Sequence, residues 1–553
     1  VNESSRGDFQ FNQLISSDAG ISGTGLGMGT FLLGEPSYWD LAVFSQIPAE
    51  RDWRIAPYFE DDLRVTPKLT LNLGFRWDYI GPSTTVFPGG AVNYDPLTGN
   101  LILAKLGSIS ASSDVTPNYR NFEPRFGFAY RVLSNTVVRG GFGRSYFDEQ
   151  YGGGAFGTLC CSYPVQTRVD VSQINSYFPV TIPPQTTPFV LNPNVPMPAA
   201  PIPAFPSNGI LPIPAGAGAY GIPFKNQNAY LDLWNLTVQH QFAPDLTMSL
   251  AYVGNVGRHL YDGGYDLNAA VPGPGSDISL RRPLFNEFGI DTNVTMRSPG
   301  GESAYDALEF VVDKRISQGY TIHSVLTWQK AMTLSYSGGE TVDPYDAKLS
   351  YAPDGNNRAF VWTMSHVWNL PYGKGQHWGS TASPVLRAVL GGWVFNGTTS
   401  IMSGLPNFIS WSDTSSLNNA GDFGQRPDQV GNPLKNIPPG LGYNPAAFAD
   451  PAPCLTGGAT CGFGNYGGTF PGPGFAAANW ALWKTFRFKS PLAKEDTTLE
   501  FRVESFNLFN RTNKSNPDDT ANDSTAGVIS NVFGVTASGD LMRQFQFGIR
   551  LAF

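Results

Sequence analysis

The chain has 553 residues and a formal net charge of −8, from 36 Lys and Arg against 44 Asp and Glu, with no basic stripe or block, which sets nucleic acid aside as a partner. Charged residues make up only 14% and aromatics 13%, with 62 Gly and 44 Pro, a balance unlike that of a soluble enzyme. No run of apolar residues is long enough for a membrane-spanning helix, whereas a membrane β-barrel spreads its apolar residues over every second position.

Val1–Arg6 shows none of the charged, apolar and small-residue zones of a secretory leader. Either a leader was removed or the chain begins within a longer protein, and the strand count below favours the second. Gly23-Thr24-Gly25-Leu26-Gly27-Met28-Gly29 lacks the Lys-Ser/Thr of a phosphate loop and reads as a flexible loop.

From residue 53 onward, alternating segments come in pairs joined by very short turns. Trp53–Val65 meets Leu69–Gly81, and Arg125–Leu133 meets Thr136–Phe147. Asn228–Ala243 meets Thr247–Tyr261, and Ser303–Ser317 meets Tyr320–Tyr336. Arg358–Leu370 and Trp393–Trp411 are joined by a longer link that holds Pro371-Tyr372-Gly373-Lys374-Gly375. Trp480–Lys489, Thr497–Asn513 and Met542–Phe553 complete the set. Long connections rich in Gly, Pro, Asn and Ser separate the pairs, at about 82–120, 148–227, 262–302, 337–357, 412–479 and 514–541. Regular alternation of short turn and long loop is the pattern of an outer-membrane barrel. A 40-residue repeat is absent, which disfavours a propeller.

The count is thirteen strands, so the last runs in the direction of the first and leaves Phe553 at the turn-side rim. Thirteen strands cannot close by antiparallel pairing. The expectation is an open, strongly curved sheet, or closure that recruits Arg6–Asn12 as a fourteenth strand.

In the terminal strand Phe545, Phe547, Ile549, Leu551 and Phe553 share one face, and Gln544, Gln546, Gly548, Arg550 and Ala552 share the other. The first set is expected to face lipid with Leu499, Phe501 and Val503 of the preceding strand. Pairing like faces sets Glu500 opposite Arg550, Arg502 opposite Gly548 and Glu504 opposite Gln546, with Glu500 and Arg550 a candidate charge pair in the lumen. Arg76, Asp78, Arg125, Arg131, Glu309, Asp313 and Arg315 are also expected to face the lumen and chiefly to pair with one another, because a lipid-facing charge is costly.

Four cysteines lie in loop-like stretches without zinc-site spacing. Cys454 and Cys461 form a candidate disulfide; adjacent Cys160 and Cys161 leave a vicinal bond, other pairing or free thiols open. Five scattered histidines (His240, His259, His323, His366, His377) suit wall or turn positions better than a metal site. Asn516-Pro517-Asp518-Asp519-Thr520-Ala521-Asn522-Asp523 offers oxygen ligands but not the order of a calcium-binding EF-hand, and reads as a solvated loop.

Trp53–Val65 with Leu69–Trp77, Pro124–Tyr130, Val138–Gly143, Tyr252–Leu260, Phe463–Gly467 and Phe501–Asn510 form a further set of longer stretches. Together they resemble TonB-dependent receptors, in particular the Oar-like type that carries an upstream carboxypeptidase-regulatory-like domain. In order and spacing they cover nearly the whole chain. The resemblance implies a barrel of about 22 strands with a plug, driven through a TonB box by an inner-membrane energy complex. Residues 1–553 are then expected to be the C-terminal portion of such a barrel, without the plug and the N-terminal domain.

The fold class expected is all-β: a partial transmembrane antiparallel β-barrel of about thirteen or fourteen strands. The expected function is TonB-dependent uptake of an unidentified nutrient across the outer membrane, with extracellular long loops, no catalysis and no cofactor. Its expected partners are outer-membrane lipid, the plug and energy complex of a longer parent, and the nutrient. A non-transporting surface scaffold or adhesin is the alternative; a secreted glycan-binding sandwich fits the aromatic content but not the loop alternation.

Overall fold

The computed structural model describes residues 8–13, 16, 24–34, 36–148, 159–172, 202–261, 264–271, 273, 277–297, 299–317, 319–334, 345–412, 425–451, 464–489, 496–533 and 542–552. Its largest element is one antiparallel sheet whose strands follow one another in chain order. They are β1 (Tyr58–Thr66), β2 (Leu69–Trp77), β3 (Phe122–Leu133), β4 (Thr136–Phe147), β5 (Ala229–Ala243) and β6 (Leu246–Leu260). Next come β7 (Gly301–Ser317), β8 (Tyr320–Leu334), β9 (Phe360–Asn369) and β10 (Trp393–Met402). β11 (Phe475–Lys489), β12 (Asp496–Phe506) and β13 (Gln544–Ala552) finish the wall, and Ala352–Pro353 pairs beside β8 as a fourteenth strand off the main path.

β1 and β13 run in the same direction, and among the described residues each is paired along one edge only. The sheet is open, a partial barrel wall. The described part of Arg6–Asn12, residues 8–12, does not extend it, which corrects one expectation. Asp8–Gln10, three residues against the nine of β1, pairs instead with Tyr38–Phe44, which in turn pairs with Gln166–Ser172. Residues 27–29, read as loop, open a helix, Gly27–Leu33.

Strand ends shift for local reasons. Pro57 has no N–H to donate, so the ladder breaks there and Arg54–Ile55 pairs separately with Tyr79–Ile80. β12 stops at Phe506 because Asn507 takes a left-handed φ of 50° and its side chain bonds both the N–H and the carbonyl of Arg511. β10 stops at Met402, and the later Pro406–Phe408 pairs with Thr469–Pro471 away from the wall.

The short turns share one construction. β1, β3, β5 and β7 each slip register just before the turn, at Arg64/Thr66, Arg131/Leu133, Gln241/Ala243 and Lys314/Ser317. Bulges of this kind favour barrel rims because they bend the strand and end its pairing. Each turn then offers a carbonyl to the next hairpin: Lys68 O, Asn135 O, Asp245 O and Gly319 O accept from the backbone N–H of Arg131, Gln241, Arg315 and Asn369 at 2.7–2.8 Å. The turns thereby form a bonded belt.

Register fixes two faces. Leu63, Leu71, Phe128, Gly140, Leu236, Tyr252, Leu308, Trp328 and Phe360 stand in one row across nine strands. One position along, Arg64, Thr70, Ala129, Arg139, Thr237, Ala251, Glu309 and Thr327 stand in the row of the opposite face. On the apolar face, rings cover glycines directly across the ladder: Phe128 over Gly140, Trp234 over Gly254 and Trp480 over Gly397. An aromatic over a facing glycine restores the packing that the missing side chain forfeits.

The closed cores lie in the loops. Val92, Tyr94, Leu101, Leu103, Ala219, Leu284, Val294 and Met296 pack together, drawn from the connections after β2, β4 and β6. Two buried amides pin that lobe. Asn93 donates to Ile222 O and accepts from Ile222 N, while Asn268 donates to Ile290 O and Thr292 O and accepts from Leu284 N. A second lobe gathers Ile409, Tyr443, Phe448, Tyr466 and Phe470 from the connection after β10, with Ala521 from the one after β12.

Candidate functional site

The polar face of the wall holds most of the charged residues singled out from the sequence, and they meet mainly along the strand. Same-face neighbours two residues apart stand about 6.5–7 Å apart, a span that an arginine bridges. Arg76 Nε donates to Asp78 Oδ1 at 2.5 Å and lies 3.9 Å from Glu123 Oε2, and Arg125 lies 3.5 Å from the same oxygen. Glu123 is buried and also accepts from Tyr146 N at 2.7 Å. Sequence reasoning missed it by starting the strand at Arg125; the signal was there, since Glu123-Pro124-Arg125 keeps the alternation.

At the other edge the register has Glu500 opposite Arg550, Arg502 opposite Gly548 and Glu504 opposite Gln546. The ion pairs differ from the one expected. Arg502 bridges Glu500 at 2.9 Å and Glu504 at 3.4 Å, because Gly548 leaves open the space across from it. Arg550 makes no ion pair among the described residues. Phe545, Phe547, Ile549 and Leu551 share the exposed apolar face with Leu499, Phe501 and Val503, while Phe553 lies outside the described residues. Asp313 pairs with His323 across the ladder at 2.7 Å. Arg315 sits at the bulge before its turn, and Arg131 and Glu309 make no ion pair among the described residues.

Between these charged flanks the polar face carries Asn235, Thr237, Gln239, Ser249, Asn255 and Tyr305, the last donating to Gln329 Oε1 at 2.7 Å. A cavity of about 320 Å³ opens along β9–β12, where Ser365, Asn396, Thr398, Asn479 and Glu504 share the polar face. The face thus offers neutral hydrogen-bonding groups interspersed with charged ones, among them Arg139, Glu309 and Asp313 on the middle strands.

The apolar face keeps most of its charges near its two ends. Lys314 pairs with Asp245 at the turns (2.6 Å), and Arg144 pairs with Asp232 toward the loops (2.7 Å), where Asp306 also stands opposite Lys330. From Lys314 to Asp306 the strand covers about 26 Å, close to the apolar band of about 25 Å on a membrane barrel. Lys484 is the exception, its ammonium bonded to the carbonyls of Ala388 and Val389.

In the loops, burial pushes the Tyr94 and Tyr466 hydroxyls up to about 12 and that of Tyr443 higher still, so all three stay neutral. Glu50 is raised to about 7, first by burial and in smaller part by nearby Asp52, against the opposing hydrogen bond from Ser83. Cys160 and Cys161 are bonded to each other; Cys454 and Cys461 lie outside the described residues. In 516–523 Asp518 closes a local turn by accepting from Thr520 N and Thr525 Oγ1, while Asn522 accepts from Ser412 N of the connection after β10. No group of three or more His, Cys, Asp or Glu among the described residues could hold a metal ion.

A search of curated proteins returns no match. Among solved structures the chain is similar to a mutant of the ferric enterobactin receptor PfeA from Pseudomonas aeruginosa, at 11% identity and a TM-score of 0.37, covering 99% of this chain and 48% of that one. It is similar also to the outer membrane transporter YddB from Escherichia coli, at 8% identity and a TM-score of 0.37, covering 97% and 56%, and to the siderophore receptor PiuA from Acinetobacter baumannii, at 9% and 0.36, covering 93% and 44%. The chain spans about half the length of these proteins. Residues 1–546 match the family described as "Outer membrane beta barrel domain", and the chain belongs to that family.

Proposed function

We propose that this chain forms wall and outer loops of a TonB-dependent receptor that imports a nutrient, its long loops extracellular and its bulged turns periplasmic. The observation that carries the reading is the division of labour around the wall. Compact, bonded turns lie at one end, and loops with buried cores of their own lie at the other. Loops of that kind present fixed surfaces to a solute, and a wall with a hydrogen-bonding inner face offers it a passage. The protein acts by binding and movement and makes or breaks no covalent bond; the driving force comes from the inner-membrane energy complex. The rigid lobes equally suit a scaffold or adhesin that binds and does not transport.

One experiment separates these. An epitope inserted at the exposed tip residue Leu97 should be reached by antibody on intact cells. Cells making the full-length protein should accumulate a medium component that is lost when the proton gradient is collapsed. An epitope reached only after cell disruption would overturn the orientation. Surface binding of a component with no energy-dependent uptake would favour the scaffold.

A further inference from the structure

The connection 370–392 between β9 and β10 is long for the turn end, and it holds a helix, Pro384–Leu390. Ser383 caps the start, its hydroxyl accepting from Leu386 N at 3.3 Å, and Pro384 presets the first turn. Seven residues are too few for intrinsic propensity to hold a helix in water. The other end is held from the wall. Lys484 Nζ donates to the carbonyls of Ala388 and of Val389, the latter at 3.2 Å, and Trp393 Nε1 donates to Val389 O at 2.9 Å. A cation and an indole thus satisfy carbonyls that lack partners within the helix.

Trp393, Lys484, Phe501 and Ile549 stand opposite one another in a single row of the apolar face. The helix is therefore clamped on the outside of the wall near the turns. Lys484 is 4% exposed, its charge against helix carbonyls and the Phe486 ring, so the lone cation of this row is screened from its surroundings. The helix itself is bare: Val385, Leu386, Val389 and Leu390 are 71%, 49%, 57% and 46% exposed.

We propose that Pro384–Leu390 is an interfacial anchor embedded in the phospholipid leaflet on the turn side, setting the depth at which the wall sits. The occupant follows from continuity: the row that clamps the helix runs on into Ile549 on the wall's exposed apolar face, and whatever bathes that face reaches the helix. In-plane helices of this kind sink about 5–10 Å into the boundary between headgroups and acyl chains. The proposal rests on the outer-membrane reading of the wall.

It is tested on the full-length protein with native cysteines replaced by serine, carrying Val389→Cys, Ile549→Cys or Leu97→Cys labelled with a small environment-sensitive fluorophore. Each is refolded into phosphatidylcholine vesicles with or without brominated acyl chains. The label at Val389 should be quenched by brominated lipid about threefold more than by aqueous iodide, as at Ile549, while Leu97 shows the reverse. Lipid quenching at Ile549 with iodide quenching at Val389 would overturn the anchor and spare the membrane reading. Shielding of Val389 from both quenchers would mean a protein surface covers the helix, and would also overturn it. Loss of lipid quenching at Ile549 would sink the membrane reading itself.

Discussion

The wall and the loop lobes use the same residue types in opposite ways. In the wall, Ile549 is 75% and Trp328 66% exposed; in the larger lobe, Tyr94 and Leu101 are fully buried. A soluble protein rarely exposes contiguous apolar surface on the scale of the wall's outer face. The lobes pack as a water-soluble domain does, with amides such as Asn93 satisfied inside. One chain therefore answers to two solvents, and the boundary between them runs through the ends of the strands, where Lys314–Asp245 and Arg144–Asp232 sit.

The largest effect that sharpens this contrast is expected in the lobe core. Leu101→Ala should cost about 2–5 kcal/mol, as truncation in a closed core leaves a cavity. Leu326→Ala on the wall's apolar face should cost much less, because lipid fills the space. Hydrogen exchange of the loop amides and refolding equilibria in vesicles measure the two; equal costs would erase the distinction. Next comes a charge placed in the band. Phe310→Arg should destabilise the inserted wall by about 2–4 kcal/mol if it lies near the membrane midplane. Leu97→Arg, on an exposed loop tip, should stay within about 0.5 kcal/mol. A harmless Phe310→Arg would mean that water, not lipid, bathes that face.

The smallest effect lies at the junction of wall and loops, where Glu50 is raised from 4.5 to about 7 by burial, with a smaller push from Asp52 and an opposing hydrogen bond from Ser83. A carboxyl whose folded pKa is raised binds its proton more tightly in the folded state. Its stabilisation is complete below the unfolded value near 4.5 and is lost as pH rises through about 7. Protection of the Val86 amide, which donates to Ala49 O, should fall across that window and become flat in Glu50→Gln. An unchanged slope in the variant would remove Glu50 as the cause.

The wall was largely legible in the residues. Period-two alternation is a local property, and a one-residue slip would turn a whole strand over, so the residues alone set Leu499, Phe501 and Val503 against Leu551, Ile549 and Phe547, and the register agrees. Thirteen strands followed from that alternation and the turn residues between them, and their relative directions from the regular change of short turn and long connection. Ion pairing was less legible, because an arginine chooses among neighbours by the space available: Arg502 takes both glutamates across Gly548, and Arg550 is left opposite Glu500 without an ion pair among the described residues.

What the tertiary structure alone decided are contacts between segments far apart in the chain. Nothing near Gly140, Gly254 or Gly397 announces the ring that covers each. Nothing local to Asn93 points to Ile222, or to Lys484 the carbonyls of a helix nearly a hundred residues earlier. The core of the larger lobe belongs to this class as well: its strands are two to four residues long, too short to show a period, and it forms only when the connections after β2, β4 and β6 meet. Alternation is written residue by residue and survives in the sequence; packing between loops is a sum over distant partners, and it exists only once the chain has brought them together.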